Sequence, residues 1–121
     1  AMIARLTIKT GIGGVARYEN DYYFQVSKDV QNVAGNPWIV CTLSVAHWYA
    51  MQAQTTAELQ KAIDILQWAC DRALPSGVLA EQLDPYTGAP LSVAPLTWSH
   101  AAFVLATHVV ARRAIELAEK S

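Results

Sequence analysis

Residues 36–72 read NPWIVCTLSVAHWYAMQAQTTAELQKAIDILQWACDR, two helical patterns of opposite character joined by a short link. Asn36-Pro37 is a start signal, a capping side chain followed by proline at the first helical position. The helix expected over 37–51 is apolar on every face, through Trp38, Ile39, Val40, Leu43, Val45, Trp48 and Tyr49. A helix of that kind is covered on all sides. Thr55-x-x-Glu58 then reads as a capping box. It opens a helix over 56–72 whose apolar positions Leu59, Ala62, Ile63, Leu66, Ala69 and Ala73 keep to one face. Lys61, Asp64, Gln67 and Asp71 fill the other. This second helix is half exposed.

The same alternation continues downstream. Thr97 or Ser99 caps a last helix over 97–119, whose first half, AAFVLATHVVA, is again apolar nearly all round; only its end turns polar, with Arg112, Arg113, Glu116 and Glu119. Buried, amphipathic, buried is the order that two concentric layers of helices produce, the inner ones covered on both sides. So few helices cannot close such a ring. Upstream, residues 2–9 suggest a short helix stopping at Thr10-Gly11. Residues 11–36, with four of the six glycines, read as a structured loop. Both long loops precede inner helices and so share one rim, the place for a site. The fold class is all-α.

Composition supports an incomplete core. Charged residues are 16% of the chain and hydrophobic ones 53%, against about 25% charged in ordinary soluble domains. A small globule exposes much of its surface, so the chain is expected to associate through apolar faces or to form part of a larger core. A net charge of −1 gives no reason to propose nucleic acid or an acidic membrane surface as a partner. No apolar run reaches the roughly 20 residues of a membrane span, and no signal peptide is visible, so a cytoplasmic location is expected. Cys41 and Cys70 are expected to be buried free thiols. Trp48 and Trp68 fall on helical faces and are expected in the core. His47, His100 and His108 lack ligand-like spacing with one another or with either cysteine; neither a metal nor a cofactor is expected.

Between the last two helices lies a long segment, 73–96, dense in proline and glycine. Loops longer than about 12–15 residues in compact domains are usually functional or disordered. The apolar residues Val78, Leu79, Leu83, Leu91, Val93 and Leu96 argue against disorder. One carboxylate, Glu81, sits at its centre beside Gln82. On the residues alone, a solvated or capping role stands open beside a catalytic one.

Three blocks carry a resemblance: GGVARYENDYY (13–23), GNPWIVCTL (35–43) and SGVLAEQLDPYTGAPLSVAPLTWSHA (76–101). In order and spacing they resemble the C-terminal part of the catalytic domain of glycoside hydrolase family 15, which holds glucoamylases, glucodextranases and prokaryotic trehalases. The resemblance implies a partial (α/α)6 barrel, of which this chain supplies the last few helices. It also implies an α-glucoside or oligosaccharide substrate, cleaved with inversion. Inversion needs two carboxyl groups roughly 6.5–9.5 Å apart, with a water between base and anomeric carbon. Glu81 matches the family's general base, in a Glu-Gln pair with Gln82. Arg17 and Asp21 match an Arg-Tyr-x-x-Asp motif whose arginine binds sugar hydroxyls. Trp38 matches a pocket-lining aromatic and Trp98 an aromatic beside the base. The chain departs from the pattern at Glu19-Asn20, where many fungal glucoamylases carry Pro-Glu. The family's general acid belongs to the missing upstream half of the barrel, so this chain alone is expected to be inactive. A rival reading is a non-catalytic helical domain that associates through its apolar faces or merely binds carbohydrate.

Overall fold

Six elements follow one another along the chain in the computed structural model, which describes residues 1–120: α1 (Met2–Leu6), α2 (Ile39–Gln52), α3 (Thr56–Arg72), β1 (Gln82–Leu83), β2 (Pro90–Leu91) and α4 (Thr97–Glu119). α2 packs against both α3 and α4, and a narrower α3–α4 contact closes the triangle. Ile39, Leu43, Ala46 and Ala50 of α2 meet Leu59, Ala62 and Ala69 of α3 and Ala106, Val110 and Leu117 of α4 in one core. Alanines at the crossings let the helix backbones approach closely, and Leu43 and Ile39 fill the space between.

The start of α3 follows its sequence signal. Thr55 Oγ1 accepts from the Glu58 N–H at 3.1 Å, and the Glu58 carboxylate accepts from the Gln54 N–H at 2.7 Å. The other two helix starts differ from their signals. α2 begins at Ile39, two residues after Pro37, and Asn36 does not cap it. Residues 37–38 are extended instead and pair on both sides: Ala16 bridges Pro37, and Trp38 bridges Gln82. Asn36 turns its amide to Phe24 and Gln82. Neither Thr97 nor Ser99 caps α4; the Ser99 hydroxyl donates to the Ala80 carbonyl at 2.8 Å. In both cases tertiary partners engage the side chain that would otherwise accept from a local backbone N–H. α1 stops at Leu6 rather than residue 9, because Ile8 and Lys9 take up loop pairing with Gly14 and Asn32.

The loops assemble into an irregular set of antiparallel pairings at one end of the helices. Thr7 bridges Val15, Ala16 bridges Pro37, Trp38 bridges Gln82, and Gln82 pairs with Leu91 in the β1–β2 ladder. This places Val15–Ala16, Pro37–Trp38 and Gln82–Leu83 side by side, above the start of α2.

Neither α2 nor α4 is covered on all sides. α2 leaves Ser44, Trp48 and Met51 open, so Trp48, half exposed, is not a core residue. α4 leaves a stripe of Ala101, Val104, Leu105, His108, Ala111 and Ile115 exposed, with Val104 at 68%. On α3, Ile63 is also exposed. Trp68 is partly buried, and its indole N–H donates to the Ile12 carbonyl at 2.7 Å. Cys41 is half-buried and Cys70 exposed, which corrects the expectation for Cys70. No helix among the described residues is long and apolar enough to cross a membrane.

Candidate active site

The Glu81 backbone is held from two directions. Its N–H donates to the Val93 carbonyl at 2.9 Å, and its carbonyl accepts from the Ile39 N–H, the first of α2, at 3.1 Å. The first turn of α4 fixes the residues just before it: the Ser99 hydroxyl meets the Ala80 carbonyl, and the Leu79 N–H donates to His100 Nε2 at 3.0 Å. Glu81 therefore rests on the N-termini of α2 and α4 together. Its side chain is half-buried, and Oε1 accepts from Gln82 Nε2 at 2.9 Å. Among the described residues Oε2 has no hydrogen-bond partner, so one carboxylate oxygen is oriented and the other is free.

Gln82 has no exposed surface. A buried amide must satisfy both ends, and here Oε1 accepts from Asn36 Nδ2 at 3.1 Å while Nε2 serves Glu81. Asn36, also buried, gives its second amide hydrogen to the Phe24 carbonyl at 2.8 Å.

Arg17 and Asp21 form a two-pronged pair, Nε to Oδ2 at 2.9 Å and Nη2 to Oδ1 at 3.0 Å. Asp21 is buried and also accepts from the Tyr23 N–H. The guanidinium lies 4.3 Å from the Trp38 ring centre and 4.8 Å from that of Tyr18, and the Tyr23 ring flanks it at 5.6 Å. Cation–π contacts of this kind reach about 6 Å. The hydrogen bonds to Asp21 raise the Arg17 pKa above its ordinary value, so the guanidinium stays charged. Asn20 takes φ +59°, a left-handed conformation that asparagine tolerates, and the chain turns there to bring Asp21 back to Arg17.

Trp38 joins the two groups. It is 4% exposed, packs under Arg17 and bridges Gln82 through its backbone. Its indole N–H is buried and has no hydrogen-bond partner among the described residues. Direct contacts thus connect Arg17, Asp21, Trp38, Gln82 and Glu81. Trp98 stands apart: it is 62% exposed on the first turn of α4, and among the described residues it makes no hydrogen bond or ring contact with the other five. Asn36 and Ser99, read from sequence only as helix caps, and His100 are the supporting residues that sequence reasoning missed. Their partners are 12 to 46 residues away, and only an unusually polar buried position could have marked them.

A separate groove of about 500 Å³ runs between α1 and α2, lined by Met2, Leu6, Val15, Cys41, Val45 and Trp48, with Arg17 at its edge. It is apolar and does not include Glu81. Burial pushes the Cys41 thiol pKa up, with the nearby Arg17 charge pulling partly back.

Comparison with known proteins bears on this arrangement. The family model for glycosyl hydrolases family 15 matches residues 58–108, from the first turn of α3 through Glu81, Gln82 and Trp98. An uncharacterized glycosyl hydrolase of Methanocaldococcus jannaschii is 31% identical over 106 residues, covering 80% of this chain. The chain belongs to glycosyl hydrolase family 15. It spans 16% of the length of that relative. The crystal structure of a bacterial glucoamylase complexed with acarbose superposes with a TM-score of 0.68 at 23% identity, over 89% of this chain and 16% of the other. That likeness carries the fold: the helices of this family 15 chain are part of an (α/α)6 barrel. Within this chain, α2 and α4 are the helices that keep apolar faces open.

Proposed function

We propose that this chain contributes the general base, Glu81, and part of the sugar-binding rim to an inverting hydrolase of α-glucosidic bonds. The observation that carries the reading is the state of the Glu81 carboxylate, one oxygen oriented by a fully buried amide and the other unengaged. A general base needs that division, a fixed direction and a free lone pair for the proton it takes from water. Arg17 supplies directed donors toward sugar hydroxyls at the edge of the same cluster, and Trp38 and Trp98 supply flat apolar surfaces for sugar C–H faces. Gln82 steadies the base beside the bound sugar.

The reaction also needs a general acid roughly 6.5–9.5 Å from the base. The proposal takes it from helices that complete the barrel, so this chain alone is expected to be inactive. The same helices, or a second copy of the chain, cover the open faces of α2 and α4. The substrate class is an α-glucoside or oligosaccharide, as the acarbose complex of the bacterial glucoamylase suggests.

Glucose release from maltotetraose, isomaltose and trehalose tests the reading, for the chain alone and for a complete barrel carrying it. The complete barrel is expected to turn over at least one of them, and Glu81→Gln to remove nearly all turnover while leaving sugar binding largely intact. Turnover retained in Glu81→Gln would sink the assignment of the base. The rival, a binding or association domain, is favoured by the exposed apolar stripe of α4 and predicts sugar binding without turnover in any assembly.

A further inference from the structure

Asn36 and Gln82 stand in series between the 24–26 loop and Glu81, and the chemistry of the loop sets the direction of both amides. The Phe24 carbonyl can only accept, so the Asn36 amino end must face it, at 2.8 Å. The Val26 N–H can only donate, and it points at Asn36 Oδ1 from 3.4 Å. With Asn36 so oriented, its remaining amide hydrogen faces Gln82 Oε1 at 3.1 Å. That leaves the Gln82 amino group, and not its carbonyl, toward Glu81 Oε1 at 2.9 Å. An amide turned the other way would set an acceptor against a carboxylate oxygen.

We infer that Asn36 is a positioning residue for Glu81: it fixes which end of Gln82 meets the carboxylate, relaying the polarity of the Phe24 and Val26 backbone groups to the base. The inference rests on the reading of Glu81 as the base for its functional meaning. Its geometric content stands independently. Asn36 and Gln82 are both buried, so an amide turned the wrong way would leave polar groups unpaired at high cost. The other polar side chains nearby are engaged elsewhere. His100 on α4 accepts from the Leu79 N–H, Asp84 after β1 accepts from the Tyr86 and Thr87 N–H groups, and Arg17 pairs with Asp21. None of them bonds Glu81.

Asn36→Asp removes the donors at nearly constant volume. Gln82 then turns its amino group toward the carboxylate introduced at position 36, away from Glu81. The test follows the side-chain amide resonances of Gln82 and Asn36 in the 15N-labelled chain, with and without Glu81→Gln. In the native background Glu81→Gln replaces a charged acceptor by a neutral one. The Gln82 amide protons are expected to move upfield, and those of Asn36 to follow by less. In the Asn36→Asp background the same Glu81 substitution is expected to leave the Gln82 amide unmoved. An equal shift in both backgrounds would overturn the relay, because Gln82 would then face Glu81 without help from Asn36. Should Asn36→Asp lose its helical circular dichroism, the native pair decides alone: movement at both amides supports the relay, and movement at Gln82 without Asn36 overturns it. Turnover plays no part in this readout. Failure of the hydrolysis assay would remove the catalytic role of Glu81 and leave the relay standing.

Discussion

The Asp21 side chain is buried, and its hydrogen-bond partners there are Arg17 and the Tyr23 N–H. A buried carboxylate that loses its cation costs several kcal/mol, but the Arg17 side chain is 36% exposed, and water screens the pair. Asp21→Asn keeps an acceptor for Tyr23 and removes the charge. A loss of about 1–2 kcal/mol is expected, seen as a lower urea midpoint at unchanged slope. An unmoved midpoint would mean that solvent already does the work of Arg17. Arg17→Lys should cost a similar amount and weaken sugar binding as well, because lysine offers neither the fork nor the flat face that lies on Trp38. These residues were legible in the sequence only through the resemblance to family 15. Arg17-x-x-x-Asp21 and Glu81-Gln82 are short-range signals, whereas the role of Asn36 depends on partners 12 and 46 positions away. Locally Asn36-Pro37 reads as a cap, and nothing in its neighbours says that a buried glutamine will claim it.

Among the elements, the helices declared themselves and the sheet did not. α3 shows a clear apolar face and a capping box, and its position follows. The two-residue strands β1 and β2 have no period to detect; they exist because loop carbonyls and N–H groups near the core need partners. Gly14 shows how tightly those loops are set. A Cβ there would meet Trp68 Cζ2 at 2.7 Å and Pro37 Cβ at 2.9 Å, and its φ is +85°. Gly14→Ala is expected to lower stability by about 1–3 kcal/mol through strain and overpacking. Gly11→Ala, with nothing within 4 Å, should change it by no more than about 0.5 kcal/mol. Equal urea midpoints for the two variants would contradict the packing of Trp68 against the rim. The cysteines offer a second check on the elements. Cys70 is exposed on α3, while Cys41 is half-buried on α2 with its thiol pKa raised by burial. Thiolate is the reactive form, so at pH 8 a maleimide should label Cys70 first. Labelling of Cys41 should speed up as pH rises past the ordinary thiol range, or on unfolding in urea. Equal rates at pH 8 would mean that the α1–α2 groove opens freely.

At the scale of the whole molecule, the low charge content of the sequence already demanded a partner surface, but not where it would lie. The periodicity of α2 and α4 suggested cover on all sides. The structure supplies it on one side, and the bare stripe of Val104, Leu105 and Ile115 is the remainder. Fully burying a large aliphatic side chain is worth about 1.5–3 kcal/mol; with Val104, Leu105 and Ile115 exposed to 68%, 52% and 61%, covering what remains of the three gives roughly 3–5 kcal/mol. Association costs an estimated 4–15 kcal/mol in lost freedom. The stripe alone therefore supports weak, concentration-dependent association and not a tight dimer. With Trp48 and Met51 on the open side of α2 added, the balance shifts toward pairing. Light scattering on the isolated chain is expected to show an average mass that climbs with concentration through the micromolar range. Val104→Glu with Ile115→Glu places two carboxylates on that stripe and should hold the mass at one chain, with helical circular dichroism unchanged because neither side chain is in the core. A wild-type chain that stays monomeric and well folded throughout would show that α2 and α4 need no cover. The barrel reading of their open faces would then lose its energetic basis.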